Sequence, residues 1–237
     1  MKHNIVLGIT GASGAIYAVR LLDVLLRSGS DVQLSISPAG QAVLKHELGL
    51  AVDLERFRLE DLLPDRERLA VGPGSLLAQV LAGPPKAKAG PPVPRGTATY
   101  HAYRDLMSPI ASGSSLTGGM VVCPCSGGTL SAIAHGAAEN LIHRAADVHL
   151  KERRKLILVP RETPLSIVHL DNMRRAVEAG AVVLPAMPGW YHGVQSLGDV
   201  VDFIVARICD QLGIEHALMR RWGDNRVQGS GFRVQDP

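Results

Sequence analysis

Apolar positions along this chain follow two alternating rhythms. Residues 4–9 (Asn-Ile-Val-Leu-Gly-Ile) form a short apolar run, as a strand buried on both faces of a parallel sheet does. After Thr10-Gly11-Ala12-Ser13-Gly14 the period changes. Ile16, Val19, Leu22 and Leu26 recur at helical spacing and predict a helix from Ala15 to about Arg27. Residues 31–36 read as a second strand and 39–48 as a second helix. Strand and helix in strict alternation predict a doubly wound parallel sheet.

Residues 52–105 break the rhythm. Leucines and charges alternate to about Val80, and residues 83–94 (Gly-Pro-Pro-Lys-Ala-Lys-Ala-Gly-Pro-Pro-Val-Pro) exclude regular helix or strand. The stretch at about 80–97 is read as an exposed, mobile insertion in a single domain spanning 1–237. Order returns with a buried strand over 118–124, expected to end at Pro124. Helices are predicted from about Thr129, over 140–153, over 165–179 and over 199–212. Strands are predicted over 155–159 and 181–184.

Composition narrows the function classes. The chain has 237 residues, 46% of them hydrophobic, which suits one α/β domain with a buried sheet. The net charge of +3 is too small and scattered to argue for nucleic acid, though it suits anionic ligands. No 18-residue apolar run and no signal-like N-terminus is present, so a cytoplasmic protein without a membrane span is expected. Cys123, Cys125 and Cys209 form no disulfide framework. The C-x-C pair lacks a second pair at zinc-finger spacing, so buried inert thiols are expected and no metal.

Candidate chemistry sits at the strand ends. The turn 8–14 lies between strand and helix, where free N–H groups and a partial positive charge attract phosphate. It is neither G-x-G-x-x-G nor a P-loop, and alone it is equally a plain tight turn. A second such turn is Pro124-Cys125-Ser126-Gly127-Gly128-Thr129, in which Ser126 and Thr129 offer hydroxyls. Two turns of this kind at the carboxyl ends of parallel strands face one crevice. Ser37 is placed like a helix N-cap. Arg144 and Lys151 share a helix face, Arg161-Glu162 follows a strand, and Arg207 lies on the last helix. Arginine suits phosphate because its fork is planar and bidentate, although each cation alone also fits a solvated face. Tyr191 could stack on a ligand or give it a hydroxyl, and Trp222 reads as packing or an oligomer contact.

Taken in order, these stretches resemble the UbiX family of flavin prenyltransferases. The similarity runs through residues 8–23, 107–115 (MSPIASGSS), 121–136, 140–165 (with RAADVHLKERR and PRETP), 185–192, 199–214 and 220–223. It implies a Rossmann-like (flavodoxin-like) three-layer α/β/α fold and a dodecamer built from trimers. It implies transfer of a dimethylallyl group from dimethylallyl monophosphate to N5 and C6 of reduced FMN without a metal. Prenylated FMN is then the product, delivered to UbiD-type decarboxylases. The resemblance further implies that Gly11, Ala12, Ser13, Ser37, Ser126, Gly127, Gly128, Thr129 and Arg161 hold the flavin. Lys151, Arg161, Arg207, Arg144 and Tyr191 would surround the donor phosphate, and Trp222 would line the prenyl site. Glu47, Ser13 and Glu162 match positions that handle protons, and Lys151 is counted with them as catalytic. The competing readings are an FMN-dependent cysteine decarboxylase, whose PxMNxxMW-like motif is absent, and a non-catalytic flavin carrier.

Overall fold

The computed structural model describes residues 3–64, 76–81, 94–219 and 221. Six strands form one all-parallel sheet in the order β3-β2-β1-β4-β5-β6. They are β1 (Asn4–Ile9), β2 (Asp31–Ile36), β3 (Ala98–Tyr100), β4 (Gly119–Cys125), β5 (Leu156–Pro160) and β6 (Val182–Val183). The three-layer class expected from the sequence holds, and its strand order is that of the dinucleotide-binding folds.

One helical layer holds α1 (Ala15–Arg27), α2 (Pro38–Leu48), α4 (Leu76–Leu81) and α8 (Leu197–Leu212). α1 is buried along most of its length because β1, β2, α2, α4 and α8 surround it. Its buried Arg20 meets Asp202 of α8 through two bonds, 2.6 and 3.0 Å, so the two helices share a paired charge rather than an orphaned one. The opposite layer holds α5 (Gly127–Ala134), α6 (Leu141–Lys151) and α7 (Ile167–Glu178) over a second apolar core. A short α3 (Leu59–Leu62) precedes α4 in chain order. Among the described residues, no helix is long and apolar enough to cross a membrane.

Several boundaries move from their expected places. β4 runs through Pro124 to Cys125, because a register shift between Val122 and Cys125 spares the ladder the N–H that proline lacks. α5, α7 and α8 begin at Gly127, Ile167 and Leu197, each one residue after a serine N-cap. In α8 the cap is reciprocal: Ser196 accepts from Asp199 N–H, and the Asp199 carboxylate accepts from Ser196 N–H. β3 was not expected at all. It pairs with β2 inside the stretch read as irregular, and the residues before it are anchored by Arg95 on Asp23 and Gly96 N–H on Leu26 O. Residues 82–93 of the expected insertion lie outside the described residues.

Between β3 and β4 the chain crosses the second face without an α-helix. A polar chain holds it down: Ser108 Oγ meets His101 Nδ1, His101 Nε2 meets Gln33, and Gln33 donates to Asn4. A 3-10 turn, Pro109–Ala111, then packs on α6.

Candidate active site

The sheet's switch point lies between β1 and β4, the neighbours from which the chain winds in opposite directions. Thr10 joins the two turns there. Its hydroxyl donates to Pro124 O at 2.7 Å and accepts from Ser126 N–H at 2.8 Å. The β1–α1 and β4–α5 turns are therefore one rigid floor. Thr10 was not singled out in the sequence, because its partners lie 114 and 116 residues away.

At the β1–α1 turn the helix N-terminus is already filled by the protein's own carboxylate. Glu47 of α2 accepts from Gly14 N–H at 2.9 Å and Ala15 N–H at 2.9 Å. Gly14 has φ 106°, and a Cβ there would lie 3.0 Å from the Tyr17 ring, so the turn requires glycine. Arg161 reaches across from the end of β5, its Nε donating to Ser13 O at 3.2 Å. Ser13, Glu47 and Arg161 thus meet at one turn, with Ser13 exposed and the other two half-buried. A cleft lined by Arg161, Glu162, Met173, Pro185 and Met187 opens beside them.

The neighbouring helix starts are built for close approach. Ser37 caps α2 by accepting from Gly40 N–H at 3.0 Å. Gly11 lies so close to α2 that a Cβ would stand 2.5 Å from Ala39 Cβ. At α5, Ser126 accepts from Thr129 N–H and donates to the Thr129 hydroxyl at 3.0 Å. A Cβ on Gly127 would meet the His169 ring at 3.2 Å, whereas a Cβ on Gly128 would meet no described atom within 4 Å outside its own turn of helix. The α5 start therefore presents backbone to open space, unlike the carboxylate-filled start of α1.

The cations divide between the layers. Arg144 and Lys151 lie on α6: Arg144 donates to Ala111 O and pairs with Asp147 at 2.6 Å, and Lys151 pairs with Glu152. Helices in such a fold run antiparallel to the strands, so Lys151, at the end of α6, lies towards the amino edge of the sheet. Arg161 stands at the carboxyl edge. Tyr191 and Arg207 belong to the α1–α8 layer. The Tyr191 ring packs edge-on against Phe203 of α8 with centroids 5.7 Å apart, and Arg207 follows Phe203 by one helical turn. Phe203 also stacks on His192 and is another residue that sequence reasoning missed. Within one protomer the sheet separates Arg144 and Lys151 from Tyr191 and Arg207. Trp222 lies outside the described residues.

Cys123 and Cys125 are buried in β4 and Cys209 in α8. Burial pushes the Cys125 and Cys209 thiols up to about 12 and Cys123 higher still, so they stay protonated and poorly nucleophilic. Among the described residues, no group of three or more His, Cys, Asp or Glu is placed to hold a metal ion.

These features fit a phosphate-bearing nucleotide: a helix start at α5 whose Gly128 faces open space, and an arginine over the first turn of α1. They define a nucleotide-binding protein of the doubly wound α/β class, and the Flavoprotein family model matches residues 1–209. The chain is 44% identical to the flavin prenyltransferase UbiX of Pseudomonas aeruginosa, over 95% of this chain and 96% of that one. It is 42% identical to UbiX of Halalkalibacterium halodurans, over 92% and 93%. A solved structure of AnUbiX (PadA1) in complex with FMN and dimethylallyl pyrophosphate superposes with a TM-score of 0.73 at 33% identity, covering 94% of this chain and 98% of that one. A dodecameric FMN-dependent UbiX-like decarboxylase from Escherichia coli O157:H7 gives 0.70 at 35% identity, over 92% and 98%. The chain belongs to the UbiX family of flavin prenyltransferases. A PPC decarboxylase shares the fold with a TM-score of 0.50, but at 14% identity that likeness concerns the fold alone.

Proposed function

We propose that this protein transfers a dimethylallyl group from dimethylallyl monophosphate to reduced FMN, releasing phosphate. The observation that carries the reading is the meeting of Ser13, Glu47 and Arg161 at the β1–α1 turn, beside the open start of α5. Gly11, Ala12, Ser13, Ser37 and the Ser126-Gly127-Gly128-Thr129 turn are the flavin-holding residues, with Arg161 across them. When bound, reduced FMN supplies the nucleophilic N5 and C6. The chain does the rest. Arg161, Tyr191 and Arg207 orient the donor phosphate and neutralise it as its bond to carbon breaks. Glu47, Ser13 and Glu162 are the groups at which protons leaving the flavin are received. Trp222 is assigned to the prenyl site, where an aromatic face steadies a developing allylic cation.

Arg144 and Lys151 lie on the far layer from Tyr191 and Arg207, so we assign them to the site of a neighbouring copy in a dodecameric assembly. The reaction needs no metal ion in this reading, because protein cations do that work. The protein acts in the cytoplasm and hands prenylated FMN to a UbiD-type decarboxylase.

The test is anaerobic incubation of the protein with reduced FMN and dimethylallyl monophosphate in the presence of EDTA. The flavin should gain one five-carbon unit by mass, and inorganic phosphate should be released. An unchanged flavin mass overturns the reading. The pyrophosphate, run in parallel, tests which donor is used.

A further inference from the structure

Arg207 does not stand alone on α8. One turn further on, Asp210 places both carboxylate oxygens in use. Oδ2 accepts from Arg207 Nη1 at 2.7 Å, and Oδ1 accepts from Arg221 Nη2 at 2.8 Å and meets His216 Nε2 at 3.1 Å. The Asp210 side chain is 17% exposed and that of His216 only 3%. An isolated surface pair at this spacing is weak and fixes little. Here three basic side chains share one largely covered carboxylate. Burial alone would raise that carboxyl, but the bonds from Arg221 and His216 outweigh it and hold it below the usual range.

The partners come from two parts of the chain. Arg207 belongs to the helix, whereas His216 and Arg221 belong to the segment that folds back after Gly213, a left-handed C-cap with φ 70°. That segment is fastened by buried Ile214, whose N–H donates to Cys209 O, and by Leu218 and Met219 against the core. Phe203, Arg207 and Asp210 recur at i, i+4 and i+7, so they lie along one face of α8. Tyr191 packs at the upper end of this stripe and Arg221 at the lower end.

We infer that Asp210 is a positioning residue for the prenyl donor. It holds the Arg207 guanidinium in one orientation, with its remaining N–H groups free for the donor phosphate. Through Arg221 it also fixes where the C-terminal segment leaves the helix. An arginine on an exposed helix face otherwise surrenders much side-chain freedom when it grips a phosphate. Asp210 removes part of that freedom before the ligand arrives. The inference rests on the reading of Arg207 as a donor-phosphate contact.

Two measurements separate the inference from that reading. Calorimetric titration of the intact protein with inorganic phosphate needs no turnover. Asp210→Asn should weaken phosphate binding about tenfold, as expected when the ligand itself must immobilise the Arg207 side chain. Asp210→Glu, which keeps the charge on the same helix face, should restore most of it. In the prenyl-transfer assay D210N should raise KM for dimethylallyl monophosphate by a similar factor and leave KM for FMN unchanged. Wild-type phosphate affinity in D210N overturns the inference. So does a D210E protein no better than D210N, or an equal rise in KM for FMN. A wild-type protein that binds phosphate but never prenylates FMN overturns the prenyltransferase reading instead.

Discussion

Glu47 shows how one side chain changes the meaning of a motif. The glycine-rich turn before α1 reads as a phosphate cradle, yet two of its N–H groups are taken by the Glu47 carboxylate. A carboxylate at a helix N-terminus is stabilised by the helix dipole as well as by its bonds. Glu47→Gln removes the charge and turns an amide N–H₂ towards N–H donors. It should lower stability by about 1–2 kcal/mol, measured as a shift of the urea midpoint. It should also slow prenyl transfer more than it weakens FMN binding. Unchanged turnover would remove Glu47 from the proton-handling set. None of this is legible in order along the chain, because Glu47 and Gly14 are 33 residues apart and nothing local pairs them.

The cysteines give a second test at the residue scale. Their thiols are raised by burial, two of them to about 12, whereas an unfolded thiol titrates at about 8.5. The folded state therefore keeps protons that the unfolded state loses above that pH. The sign follows: this contribution to stability is intact below about pH 8.5 and declines as the pH rises towards 12. The urea midpoint should fall across that window. A thiol reagent at pH 8 should label the cysteines only after unfolding, and rapid labelling of the native protein would contradict their burial.

At the scale of elements, the sequence was readable where a rhythm lasted several turns. β1, α1, β2 and α8 follow from apolar spacing alone. β3 does not, because it is three residues long and follows a Pro/Gly-rich stretch, and only pairing with β2 makes it a strand. The two glycines that open α5 looked equivalent in the sequence and are not. Gly127 backs onto His169, whereas Gly128 faces open space among the described residues. That difference makes a clean test of the flavin-holding role. Gly128→Val should fold with stability within about 0.5 kcal/mol of the parent, since its Cβ meets no described atom outside its own turn of helix, and should bind FMN much more weakly. Gly127→Val should lose stability first. Full FMN affinity in G128V would move the flavin away from α5.

At the scale of the whole molecule, the cations lie on both faces of the sheet. The family resemblance gathers Arg144, Lys151, Arg161, Tyr191 and Arg207 around one phosphate, and a chain read as a line has no layers to divide them. The fold puts Lys151 on the α5–α6–α7 layer near the amino edge and Arg207 on the α1–α8 layer. If one phosphate is held by both, they come from different copies, and the protomer is not the unit of activity. Complementation decides it. Lys151→Ala and Arg207→Ala should each be nearly inactive alone, with assembly unchanged by light scattering. Dissociated, mixed in equal amounts and reassembled, they should regain activity, because about a quarter of the sites then draw an intact lysine and an intact arginine from two different parents. Residues serving a site within one chain can never be restored this way. A mixture as inactive as its parents would return both cations to a single protomer.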